Sequence, residues 1–478
     1  MRALRAPAAG AATSFALLLL TLPAALPARA EAHPPPAAAQ PGAARPAGAV
    51  DRGRQSLPLR PLGRVTGAAG RSGGAPAGAQ GLPATGTGRF SLLGVVWDDA
   101  NAELTGRIQV RTRAADSGRW SPWTTLRAGD AHSPDPGSAE SAGRRLRGGT
   151  APLWVGPSDG VQVRAVPGTG RDAPPPAVPA AAPGAPAAAP AARAPRAAAL
   201  PEGLRLELVA AEPAARELPA PGAGSGQAPA RPPAGGAAAN GPAGAVTAAT
   251  GAGAGAGDAA GAGVEDGAPP ARVLPGLPHG APRPGIVSRA DWGADEDLRE
   301  EDFVYTGDVR TVFVHHTAGT NAYSCAESPA LIRAIYRYHV ESQGWRDIGY
   351  NFLVDRCGTV YEGRAGGVDR PVQGAHTLGF NQNSAGVAVL GTYTDTEPGA
   401  AVLTALARLA GWKLGLSGVD PRERATLVSG GGTYPKGTEV VLANVSGHRD
   451  GYDTDCPGDR LYAQLPEVRE QAAAFQGR

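Results

Sequence analysis

Three tracts rich in Ala, Gly and Pro limit where this 478-residue chain can fold: residues 31–87, 168–198 and 212–284. Such tracts bury too little apolar surface to offset chain entropy, so they are predicted to be disordered. The third, dominated by Gly, reads as a flexible linker. Between them lie two islands with core-forming residues. The seven Trp fall at positions 97, 120, 123 and 154 in the first island and 292, 345 and 412 in the second, and every Tyr lies beyond position 300. Two folded units separated by disorder are therefore expected, at 88–211 (interrupted by the 168–198 insert) and at 285–478.

The first thirty residues carry Arg2 and Arg5, an apolar run from Phe15 to Leu20, and Ala28-Arg29-Ala30. That is the pattern of a secretory signal peptide with cleavage after Ala30. The apolar run is broken by Pro23 and Pro27 and falls short of a bilayer span. The expected mature chain is exported, cell-wall associated and monomeric, with no membrane anchor. A net charge of +2 without any Lys/Arg block argues against nucleic acid as a partner.

In the first island, Phe90–Trp97 reads as a buried strand and Gly106–Thr112 as a half-buried one. Leu153–Val155, Gly160–Val166 and Leu204–Val209 follow, with a polar excursion from Gly129 to Gly149. No helix is expected, and the economical fold is a small all-β sandwich. Its Trp residues suit a core better than a sugar-stacking surface, and its function is not legible. The second island mixes strands (Val312–Val314, Asn351–Val354, Thr359–Tyr361, Gly386–Leu390) with helices. The helices are predicted from Ser328 to Ser342, Ala401 to Leu414 and Asp459 to Phe475. The expected fold is α/β, with a central mixed sheet flanked by helices.

Three cysteines in an exported chain is an odd count. Cys325 and Cys357 flank one helix and one strand, and a bridge between them would stabilise by roughly 3–4 kcal/mol. It would leave Cys456 outside any disulfide; pairings of Cys456 with Cys325 or Cys357 are the alternatives. Cys456 lies eight positions after His448 on a Gly-, Asp- and Pro-rich segment, and His315-His316 end the Val312–Val314 run. Two imidazoles and one thiolate form a three-ligand set for zinc, which leaves a position open for water. That is a hydrolytic arrangement.

Five motifs in order carry a resemblance. They are Val314-His315-His316-Thr317-Ala318-Gly319, Gly344-Trp345-Arg346-Asp347-Ile348-Gly349-Tyr350-Asn351-Phe352, Tyr361-Glu362-Gly363-Arg364, Gly374-Ala375-His376, and Gly447-His448-Arg449-Asp450 through Cys456-Pro457-Gly458. Together they resemble the peptidoglycan recognition protein/type 2 amidase family over residues 285–478. The resemblance implies a zinc N-acetylmuramoyl-L-alanine amidase acting on bacterial peptidoglycan, with His315, His448 and Cys456 as ligands. It implies Tyr350 as the catalytic tyrosine, Thr454 as a group near the scissile carbonyl, and His316, His339, Arg364 and His376 along the substrate groove. His316 is an alternative ligand to His315, although strand alternation points it to the opposite face; a core role is the plainer reading of His339 and His376. The segment Ala365–Pro371 lacks the aromatic residue usual after the Gly-Arg pair, so no stem-peptide preference follows. The rival readings are a binding-only peptidoglycan module, a hydrolase with Cys456 as nucleophile and His448 as base, and a β-sheet adhesin anchored to wall by the second island.

Overall fold

A computed structural model describes residues 53–62, 76–126, 132–168, 199–211 and 279–478. The predicted signal peptide, nearly all of the 168–198 insert and linker residues 212–278 lie outside the described residues.

The N-terminal module is β throughout. Its strands are β1 (Arg54–Pro58), β2 (Arg60–Pro61), β3 (Gln80–Trp97), β4 (Gly106–Ala114), β5 (Thr124–Leu126), β6 (Gly148–Gly149), β7 (Leu153–Pro167) and β8 (Arg205–Val209). All are joined in one antiparallel sheet of order β1-β8-β3-β7-β4-β5, with β2 and β6 also on β3. The expected sandwich is thus one continuous sheet, because the long β3 and β7 run through the whole module and their pairing is broken by register shifts rather than by a gap. Trp97 and Trp154 are buried, while Trp120 and Trp123 are half-buried under the guanidinium groups of Arg111 and Arg164.

Two boundaries need correcting. Residues 53–62 and 76–87, read as disordered, are ordered. Strand β1 pairs with β8 because Glu207, fully buried on β8, needs the Ser56 hydroxyl (2.6 Å) and the Arg54 guanidinium (3.2 Å) to satisfy its carboxylate. At the other boundary, residues 279–284 belong to the C-terminal domain, where Ala281 packs into the core.

The C-terminal domain is built on a six-stranded mixed sheet, as expected. Its strands are β9 (Ile286–Val287), β10 (Thr311–His316), β11 (Phe352–Val354), β12 (Val360–Glu362), β13 (Ser384–Val389) and β16 (Val445–Gly447), in the order β16-β10-β13-β11-β12-β9. A separate hairpin, β14 (Arg424–Val428) with β15 (Glu439–Ala443), was not foreseen. The helices are α1 (Ser328–Arg337), α2 (Ala400–Gly415), α3 (Asp459–Ala463) and α4 (Leu465–Phe475). A π-helical turn extends α1 to Ser342, and the expected last helix is divided at Gln464, just before Pro466. The Cys325–Cys357 disulfide is formed.

Alternation along β10 sorts the sheet into two faces. Val312 and Val314 pack on α2 and α4. On the opposite face, α1 residues such as Ile332 and Ile335 share a core with Ala388 and Leu390, and that core continues into Leu92, Val96, Trp154 and Val209 of the β module. The two units are therefore packed together, not separated. Phe90–Trp97 is buried along its whole length because one side faces its own module and the other faces α1. No described helix is long and apolar enough to cross a membrane.

Candidate metal centre

Parallel pairing brings the first two candidate ligands together. The register sets Val314 of β10 opposite Gly447 of β16, so His315, next on β10, and His448, just past the end of β16, emerge side by side. Their rings lie 4.6 Å apart between centroids. Asp450 accepts a hydrogen bond from the Gly447 amide and another from the Tyr462 hydroxyl, holding the 3-10 turn that begins at His448. The loop that follows folds back: the Arg449 amide donates to the Cys456 carbonyl (3.0 Å), and the His316 amide donates to the Cys456 Sγ (3.3 Å). Thr454 accepts from the Cys456 amide (3.1 Å) and so shapes the same loop.

His315, His448 and Cys456 are all fully buried, and Cys456 takes no part in a disulfide. Burial first, then the neighbouring imidazoles, hold His315 and His448 well below the usual histidine range. Both rings are thereby neutral and offer lone pairs. Neither ring nitrogen of His448 has a hydrogen-bond partner among the described residues. Leaving buried polar atoms unsatisfied costs about 1–3 kcal/mol each, and a metal ion would remove that cost. The spacing also suits one. Nδ1 of His315 lies 3.8 Å from Sγ of Cys456, against about 3.6 Å for two corners of a tetrahedral zinc site with Zn–N near 2.05 Å and Zn–S near 2.3 Å.

A residue that sequence reasoning missed completes the cluster. His132, from the polar excursion of the β module, places Nε2 3.0 Å from Nδ1 of His315, and its ring centroid is 4.6 Å from that of His448. One ligand-capable atom each from His132, His315, His448 and Cys456 lies within 4.8 Å of all the others. Burial pushes the His132 imidazole down to about 3. The one available signal was its isolation, as the sole histidine of residues 88–211.

The other candidates lie around this cluster. His376 lies behind His315 and is fully buried; its Nδ1 is 3.2 Å from His315 Nε2 and 3.1 Å from the Thr377 hydroxyl. A side chain at position 386 would collide with its ring, which is why Gly386 sits in β13 there. His376 therefore stands directly against His315. His316 is also fully buried, on the far face of β10, where its Nδ1 accepts from the Tyr393 amide. His339 stacks on Trp345 (4.3 Å between centroids), and its Nδ1 accepts from the Gly349 amide. Tyr350 lies among these rings, 5.6 Å from His315, 5.2 Å from His132 and 5.7 Å from His339. Its loop is fixed by Asp347, which accepts from the Ile348 and Ala365 amides and from Arg289. Arg364 is buried; it donates to the carbonyls of Ile348, Asp347 and Gln373 and is ion-paired with Glu140 of the β module at 2.6 Å.

Two family models and several known proteins match this chain. Residues 305–459 match the family described as N-acetylmuramoyl-L-alanine amidase. Residues 36–198 match one described as Rv3811 N-terminal galactose-binding domain-like. Peptidoglycan-recognition protein SC2 of Drosophila simulans is 32% identical over 180 residues, covering 38% of this chain and 84% of that protein. Peptidoglycan-recognition protein SC1a of Drosophila melanogaster is 33% identical over 183 residues, covering 38% and 83% respectively. The N-acetylmuramoyl-L-alanine amidase of Homo sapiens is 35% identical over 187 residues, covering 38% of this chain and 28% of that protein. With a buried His/His/Cys cluster at the end of its central strands and the two Drosophila relatives matched over more than four fifths of their length, this chain belongs to the peptidoglycan recognition protein and N-acetylmuramoyl-L-alanine amidase family.

Proposed function

We propose that the chain is an exported, zinc-dependent N-acetylmuramoyl-L-alanine amidase that cuts the amide between the lactyl group of the glycan and the first residue of the stem peptide. The observation that carries this reading is the convergence of His315, His448 and Cys456, with neither His448 nitrogen hydrogen-bonded among the described residues. Zinc held there would supply water of pKa near ~7 in place of ~15.7.

The chain's own residues supply the rest. His376 Nδ1 lies 3.2 Å from His315 Nε2; we assign the proton of that contact to His315, which leaves its Nδ1 as the donor atom toward the cluster. The backbone amide of His316 points at the Cys456 sulfur and favours its thiolate. A thiolate gives more charge to the metal than a third imidazole would, so the scissile carbonyl needs further help as negative charge develops on its oxygen. The Tyr350 hydroxyl is the group proposed to hydrogen-bond that oxygen. Thr454 holds the Cys456 loop through the Cys456 amide and is the proposed second group near the scissile carbonyl. Arg364 is the proposed anchor for a carboxylate of the stem peptide, as a guanidinium held in a fixed orientation by three carbonyls.

Exhaustive chelation should abolish release of peptide from glycan, and added zinc should restore it. Cleavage that survives chelation and is stopped by alkylation would instead point to Cys456 as nucleophile. Binding of muropeptide without cleavage in any zinc-loaded form would leave a recognition module.

A further inference from the structure

We propose that residues 132–149 of the β module are an intramolecular plug of the catalytic groove, in which His132 is a fourth protein ligand of the metal and Glu140 occupies the carboxylate site at Arg364. This deepens the zinc-amidase reading, on which it rests for the identity of the ion.

The number of ligands is decisive. Three protein ligands leave zinc an open position for water, whereas four close it. His132 Nε2 stands 3.0 Å from His315 Nδ1, close to the roughly 3.3 Å between two nitrogens of a tetrahedral zinc site. Its ring also contacts that of Tyr350, 5.2 Å between centroids. The imidazole therefore occupies the space that an attacking water and a scissile carbonyl would need.

Eight residues on, the same segment fills the second recognition element. Glu140 is 1% exposed and meets Arg364 at 2.6 Å and Arg346 at 3.9 Å. A buried carboxylate on a guanidinium is the chemistry a free peptide carboxylate would offer to that pocket. Between and after these two contacts the segment is clamped by polar groups. Asp135 accepts from the Gly379 amide (2.7 Å) and the Asn381 side chain (2.8 Å). Arg144 donates to the carbonyls of Gly344 and Trp345, and the Arg147 amide donates to the Gln343 carbonyl.

The segment is nevertheless irregular apart from the short β6, and it adds few residues to the shared apolar core. Its hold is polar and local, so it can leave while β3 stays packed on α1. A ligand that needs the open groove then binds with an affinity reduced by the open fraction. Wall peptide carrying a free carboxylate competes with Glu140 for Arg364, and once it has displaced the segment His132 leaves the metal. The substrate itself thereby relieves the block.

The test uses the full chain, zinc-loaded at one equivalent, with X-ray absorption at the zinc edge counting imidazoles by their multiple scattering. Wild type should show three imidazoles and one sulfur; His132→Ala and His132→Gln should show two imidazoles, one sulfur and an added oxygen. Two imidazoles in wild type would overturn the proposal, whatever the activity. A second arm measures binding of muramyl-tetrapeptide to metal-free protein, where no bond can be cut. His132→Ala/Glu140→Gln should bind it at least about tenfold more tightly than wild type. Equal affinities would overturn the plug. Because neither readout is hydrolysis, failure of the amidase reading would leave both answers intact.

Discussion

His315 and His132 present nitrogens to the same point from opposite sides, and the chain holds them in different ways. His315 lies near the end of a strand whose register against β13 and β16 is fixed by burial on both faces, and His376 Nδ1 stands 3.2 Å behind its Nε2. His132 stands on an irregular segment held by hydrogen bonds and ion pairs at the groove rim. A register-bound ligand cannot move without breaking the sheet, whereas a loop-bound one can. The wall of the site is permanent, and its cover is exchangeable.

The sharpest way to break the comparison is at the permanent wall. Cys456→Ser should bind zinc more weakly and drop amidase activity to background, while far-UV circular dichroism stays unchanged. Competition with a chromogenic chelator reads the first, and an unchanged zinc affinity would contradict the ligand assignment. Next in size is the apolar seam between module and catalytic domain. Leu92, fully buried in the core shared with α1, should cost about 2–5 kcal/mol on truncation to Ala. Denaturant titration followed at Trp fluorescence should still give one transition. Two separated transitions in wild type would show that the two units unfold independently.

A smaller effect is expected behind the ligands. His376→Ala should weaken zinc affinity about 10–100-fold, measured by competition with a chromogenic chelator. No change would mean that the Nε2 contact does not orient His315. The smallest effect concerns Lys413, buried on α2, which donates to the carbonyls of Val368 and Arg370. Burial lowers its ammonium from 10.5 to about 8. Between those values the unfolded chain binds the proton that the folded chain has lost, so stability rises with pH, by up to about 1.4 kcal/mol per unit. Denaturant midpoints from pH 7 to 10 should show the rise in wild type and a flatter profile in Lys413→Met.

Much of the wall was legible because its parts are local in sequence. A β-branched run ending in His315, and a turn-rich segment with His448 eight positions before Cys456, state their chemistry within a dozen residues. Alternation also sent His316 to the far face. The cover was not legible, because its meaning lies in contacts across great sequence distance: His132 meets His315 183 positions away. A lone histidine in a polar stretch has no periodicity to reveal it. Strand β1 was missed for a related reason, since Arg54–Pro58 looks like its Pro- and Arg-rich surroundings until Glu207 is seen to need Arg54 and Ser56. The continuous apolar run Phe90–Trp97 did carry a hint of the seam. A strand buried on both faces needs a second partner, and one small module could cover only one side.

The most direct measurement is mass analysis of the products from a defined disaccharide-peptide incubated with zinc-loaded His132→Ala/Glu140→Gln protein. The expected products are an intact glycan with a free lactyl carboxylate and a peptide whose L-alanine amine is newly free. Cleavage within the peptide or between the sugars, or intact substrate despite bound zinc, would contradict it.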